Sequence, residues 1–194
     1  INDETMHMLE LAYENVNQAF GQLLQFSDKI DEQIYKREDT VNYLDKVISE
    51  YISTALATPN LNVNISQALS SYYLMLVDIE RISDYAVNMN HQATKRLQGD
   101  MTISEIEIVE HMKKLCVDMK NDLSDVEEAE RKDDVIDSLV SSWREAQIQA
   151  LKQQKCSSEV SMMLSRIFTD FERINDHALN VSQEFDKINI EIPE

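Results

Sequence analysis

Two carboxylates four residues apart on a helix differ by about 40° around its axis and stand roughly 6 Å apart, so both occupy one face. This spacing occurs at Glu80 and Asp84, at Glu172 and Asp176, and at Asp133 and Asp137. Oxygen donors held so close suit hard or borderline metal ions. One such pair carries little information, because a chain with 36 acidic residues produces several by chance. Repetition raises the signal. The stretch DIERISDYAVN, Asp78 to Asn88, returns as DFERINDHALN, Asp170 to Asn180, with seven of eleven positions identical.

Like charges at spacing four cost a helix roughly 0.2–0.5 kcal/mol per pair, so keeping them in both copies calls for an offsetting partner. Arg81 and Arg173, three residues before Asp84 and Asp176, offer the plain answer: a solvated face with an internal ion pair. A second repeated segment strengthens the alternative, a cation held between neighbouring helices. REDTVNYLD, Arg37 to Asp45, lies over KDDVIDSLV, Lys132 to Val140, when Glu38 is set on Asp133, an offset of ninety-five against ninety-two for the first repeat. In this register Asn42 stands where Asp137 carries an acid.

Other chemistries find less support. Of His7, His91, His111 and His177, only His7 belongs to a Glu-x-x-His, with Glu4, whereas a ferritin-like di-iron bundle needs that motif on two helices. With Gly21 and Gly99 the only glycines, no glycine-rich phosphate loop can form, and no Ser or Cys has a base at a recognisable spacing. None of these patterns supplies a catalytic constellation. Cys116 and Cys156 lack a CxxC and read as buried free thiols of a reducing compartment. Met162, Met163 and Trp143 read as core.

A formal charge of -18 repels nucleic-acid phosphate and anionic lipid alike, leaving cations or basic partners as natural ligands. No apolar run approaches the roughly 20 residues that span a bilayer. The opening INDETMHMLE has neither an initiator Met nor a signal-peptide layout, which suggests a piece of a longer protein.

The elements that must position these acids are helices. Two glycines, two prolines and apolar residues at spacings of three and four, as in Ile30, Ile34, Val41, Leu44, Ile48, Ile52 and Ala55, exclude a β architecture. The pattern predicts helices over about 4–26 and 29–57, from 63 or 65 to 97, and over 158–185, with two more opened by the capping boxes Thr102/Glu105 and Ser124/Glu127. Three helices, a break near Gln98 and three helices again predict a tandem repeat, residues 1–98 and 99–194. Met75, Ile79, Ile82, Ala86 and Met89, and in the second copy Ile167, Phe171, Ile174, Ala178 and Val181, form the core stripes, with the acids about 100° round from them.

The repeated Asp-x-Glu-Arg-Ile-x-Asp-x-Ala-x-Asn, preceded by an acidic segment one helix earlier, resembles the PhoU family of phosphate-transport regulators. The resemblance covers the whole chain. It implies an all-α fold of two tandem three-helix bundles, each able to bind an iron or zinc cluster; manganese or magnesium would suit the same oxygens. Carried over, the metal ligands are Glu38, Glu80 and Asp84 in one half, and Asp133, Asp137, Glu172 and Asp176 in the other. The region before the third helix, TPNLNVNISQALSSYY, is more similar to the PhoU-like domain that ends bacterial sodium/phosphate cotransporters. The expectation is a regulatory domain at the cytoplasmic face of the inner membrane, partnered by a transmembrane phosphate transporter in the same or a separate chain. It would bind neither lipid nor nucleic acid directly, and homo-oligomers are compatible with it. A free-standing regulator of a transporter or sensor kinase is the second reading, and a carboxylate-bridged metalloenzyme a third.

Overall fold

The computed structural model describes residues 1–121 and 123–191. Six α-helices make up the fold: α1 Asn2–Leu24, α2 Asp28–Leu56, α3 Val63–Ala93, α4 Ile103–Asn121, α5 Val126–Lys152 and α6 Ser158–Glu191. A short 3-10 turn, Leu97–Asp100, separates α3 from α4, and the expected division between residues 98 and 99 falls within it. Among the described residues there is no strand.

Local chemistry sets the helix ends. Asn62 caps α3 by accepting the Asn64 amide at 2.8 Å. The Thr102/Glu105 box forms in both directions, Glu105 accepting from the Thr102 amide at 2.7 Å and Thr102 Oγ1 from the Glu105 amide at 3.3 Å. At α5 the cap is Asp125, accepting from Glu128 N at 3.1 Å, in place of the expected Ser124. Asp125 is the extended residue immediately before the first helical one, which is where a capping side chain can reach back. α3 stops at Ala93, earlier than the periodicity suggested, and the chain leaves it through Arg96 in the left-handed region (φ 53°). α6 runs past Phe185 to Glu191.

α3 and α6, the helices bearing the repeated motif, pack against each other. α3 also meets α1 and α2, α6 meets α5, and α1 lies against α4. Both expected core stripes are buried, from Met75 through Met89 and from Ile167 through Val181. One hydrophobic cluster runs through both halves, and Phe20 meets Phe171 edge to face across it, ring centroids 6.2 Å apart.

Three expectations about apolar residues need correction. Met162 is 64% exposed, on the outer side of α6 from its buried neighbour Met163. Cys156 is only half-buried, whereas Cys116 is enclosed and burial pushes its thiol pKa far up. Trp143 packs on the core's margin, between His111 and Phe168.

Candidate functional site

In the first repeat α2 contributes Glu38, Asn42 and Asp45, and α3 contributes Glu80, Ser83 and Asp84. Glu38 is 8% exposed. Its Oε2 accepts from the buried Ser83 hydroxyl, while Oε1, also buried, has no hydrogen-bond partner. Burial pushes the Glu38 carboxyl above the usual carboxylate range and the nearby Asp84 charge adds to this; hydrogen bonds from Ser83 and Asn42 offset part of it. Glu80 is raised as well, by burial first and then by Asp84, Asp45 and Glu38, with Arg81 opposing. Asp45, raised by burial, accepts from Ser49 Oγ at 3.4 Å. Arg81 stands 3.6 Å from Glu80 and 3.3 Å from Asp84, but half its side chain is in solvent. The helix pair thus turns four acids toward one another with one solvated arginine at the rim.

The second repeat keeps one contact and changes the rest. Asn175, the counterpart of Ser83, donates to Asp133 as Ser83 donates to Glu38. Asp133 is raised by burial and then by the charges of Asp137, Asp176 and Asp134. Arg173 pairs with Asp176 at 3.2 Å, matching Arg81 and Asp84. Glu172 differs: Arg144 of α5 reaches across and donates to its Oε2 at 2.5 Å.

Of the seven acids expected to hold metal, Glu38, Glu80 and Asp84 feel one another's charge in the first half and Asp133 that of Asp137 and Asp176 in the second, while Glu172 is drawn to Arg144. Even so, among the described residues no three His, Cys, Asp or Glu side chains converge as a ready ligand set. Hydroxyl, amide and guanidinium donors engage individual carboxylates instead: Ser83 at Glu38, Asn175 at Asp133 and Arg144 at Glu172. The plain expectation of arginine pairs at spacing three is met in both copies.

Several residues of these sites escaped the sequence reading. Asp45 lies two turns beyond Glu38, on the same face, and was within the quoted segment. Ser83 and Asn175 occupy a variable position of the repeated motif, so identity could not reveal them. Asp78 and Asp170, the motif's first letters, were visible as identities. Asp78 Oδ1 faces His177 Nδ1 at 2.7 Å and accepts from Asn180 Nδ2 at 3.1 Å across the α3–α6 seam, and Tyr85, the counterpart of His177, stacks on that imidazole. Asp170 is pushed up to about 6 by burial, with Arg166 opposing. Part of the motif's repetition thus serves the contact between the two copies.

Comparison with known proteins agrees with this architecture. A family model described as the PhoU domain matches residues 5–93 and 103–185. The chain is 24% identical over 196 residues to a Thermotoga maritima protein described as phosphate-specific transport system accessory protein PhoU homolog 1, covering 95% of this chain and 83% of that one. The crystal structure of PhoU from Pseudomonas aeruginosa superposes with a TM-score of 0.82 at 20% identity, covering 95% of this chain and 92% of the other, and establishes likeness of fold.

Proposed function

This chain belongs to the PhoU domain family, and from that premise we propose that it is a non-catalytic regulator of phosphate transport, acting as an accessory to a membrane transporter. The observation that carries the proposal is the match along 95% of the chain to a protein described as an accessory of a phosphate-specific transport system. That relative supports the free-standing regulator over the cotransporter domain expected from the segment before α3. No described helix is long and apolar enough to cross a membrane, so association with the inner membrane's cytoplasmic face would run through the transporter. Deleting the gene and measuring phosphate uptake across phosphate supply tests this: uptake that no longer falls when phosphate is plentiful is expected, and unchanged regulation would refute it.

The first repeat fits a regulatory cation. Glu38 holds a buried oxygen without a partner beside Glu80, Asp84 and Asp45, and the carboxyls of Glu38, Glu80 and Asp45 are each raised above the usual range. Glu38, Glu80 and Asp84, with Asp45 at the side, are the residues that would hold iron, zinc or manganese. A bound cation would supply the positive charge that offsets their repulsion and would tie α2 to α3. Elemental analysis after reconstitution should find metal in the wild type and lose it in E38Q/D84N; equal content in the two would leave these acids as a buried polar seam.

A further inference from the structure

We propose that Arg144 is a built-in cation of the second repeat, holding Glu172 away from Asp133, Asp137 and Asp176 and so depriving that acidic cluster of a metal ligand. This rests on the reading that the repeated acids face a cation. The two halves supply the comparison, since each is a copy of the other built with different residues.

The Arg144 guanidinium is held from several sides. It donates to Glu172 Oε2 at 2.5 Å, to Thr169 Oγ1 at 3.2 Å and to the Ser165 carbonyl at 3.4 Å, and its Cζ lies 5.7 Å from the centroid of the Phe168 ring. These contacts come from successive turns of α6, so the side chain bridges α5 to α6 as a shared ion would. Only about a third of it is exposed.

The arginine and the side chains that flank it are missing from the first repeat. In the ninety-five-residue register Ser49 is the counterpart of Arg144. In the ninety-two-residue register Tyr73, Leu76 and Val77 are the counterparts of Ser165, Phe168 and Thr169, so the hydroxyl acceptor and the flanking ring have gone together with the arginine. Val77 and Tyr73 stand half-exposed there, partners to no guanidinium. Glu80, the counterpart of Glu172, is left with the solvated Arg81 at 3.6 Å and with three neighbouring acids that raise it. The second repeat also has the buried Val140 where the first has Asp45. Asp137 stands where the first repeat has Asn42, so the number of acids is the same and what differs is the fixed positive charge.

A guanidinium carries one charge and cannot be exchanged, whereas a metal ion comes and goes with supply. Under this assignment the second repeat is a constant structural tie, and only the first can report cation availability. The test is a Mn2+ titration followed by electron paramagnetic resonance, in an E38Q/D84N background that blanks the first repeat. R144S should raise Mn2+ affinity of the second repeat at least about tenfold, because it frees the Glu172 carboxylate to join Asp133, Asp137 and Asp176 as a further anionic ligand, and adding E172Q should abolish the gain. Should R144S fail to fold, R144Q carries the same expectation with the polar stem kept. A gain in neither variant overturns the assignment, as does a second repeat that already binds Mn2+ as tightly with Arg144 in place. The cation reading of the first repeat is judged separately, from the wild type against E38Q/D84N with Arg144 intact. Equal binding there would sink that reading while leaving a positive R144S result in force.

Discussion

The first repeat leaves a buried carboxylate oxygen of Glu38 without a partner, whereas in the second an arginine of α5 pairs with Glu172 of α6. Both copies keep the polar side chain from the motif helix that donates to the first acid of the preceding helix, Ser83 to Glu38 and Asn175 to Asp133. They also keep the rim arginine. What duplication preserved is the frame, and what diverged is how the acids are paired.

The comparison assumes that the copies share one fate in folding, and the strongest way to break it is at the shared core. Phe171 is fully buried and meets Phe20 of the other half, so F171A should cost about 3–5 kcal/mol. Chemical denaturation followed by Trp143 fluorescence and circular dichroism together should stay a single transition. Two separated transitions would mean that the repeats are independent modules.

The α3–α6 seam gives a second test. Asp78 faces His177 and Asn180, while its twin Asp170 is half-buried and pushed up to about 6. An acid whose folded pKa exceeds its unfolded value stabilises the fold fully below the unfolded value, and that contribution is lost as pH rises through the folded one. Between about pH 4 and pH 7 the wild type should thus lose about 2 kcal/mol at Asp170. D170N should flatten that part of the stability profile, and an unaltered profile would show that Asp170 does not titrate there.

At the sites themselves the two halves should respond with opposite signs. In metal-free protein at neutral pH, E38Q should stabilise by about 1 kcal/mol, since it removes a buried charge whose raised pKa marks it as unfavourable. The same sign argument makes this gain fade as pH falls toward the unfolded value of glutamate. R144S should destabilise by about 1 kcal/mol, the scale of a half-buried pair. Thermal melts of both variants check this, and equal signs would erase the asymmetry. The smallest effect is expected of N42D. It adds a like charge four residues from Glu38, costing roughly 0.2–0.5 kcal/mol without metal. It should tighten Mn2+ binding by the first repeat, and unchanged affinity in the titration would place position 42 outside the site.

The helices, the duplication and the faces bearing the acids were legible in the sequence because helical order is local. A rise of 1.5 Å and a turn of about 100° per residue fix which positions share a face before any tertiary contact forms. Glu80 and Asp84, the core stripes from Met75 to Met89, and the rim pairs of Arg81 and Arg173 all followed from spacings of three and four. The partner of each acid did not follow. Arg144 and Glu172 are 28 residues apart, Asn175 and Asp133 42, and His177 and Asp78 99. Which of them meet depends on the packing of neighbouring helices and on the reach of long side chains across the groove between them. Sequence thus determined where the negative charge lies, and tertiary structure decided that an arginine answers it in one repeat while a carboxylate oxygen stays unpaired in the other.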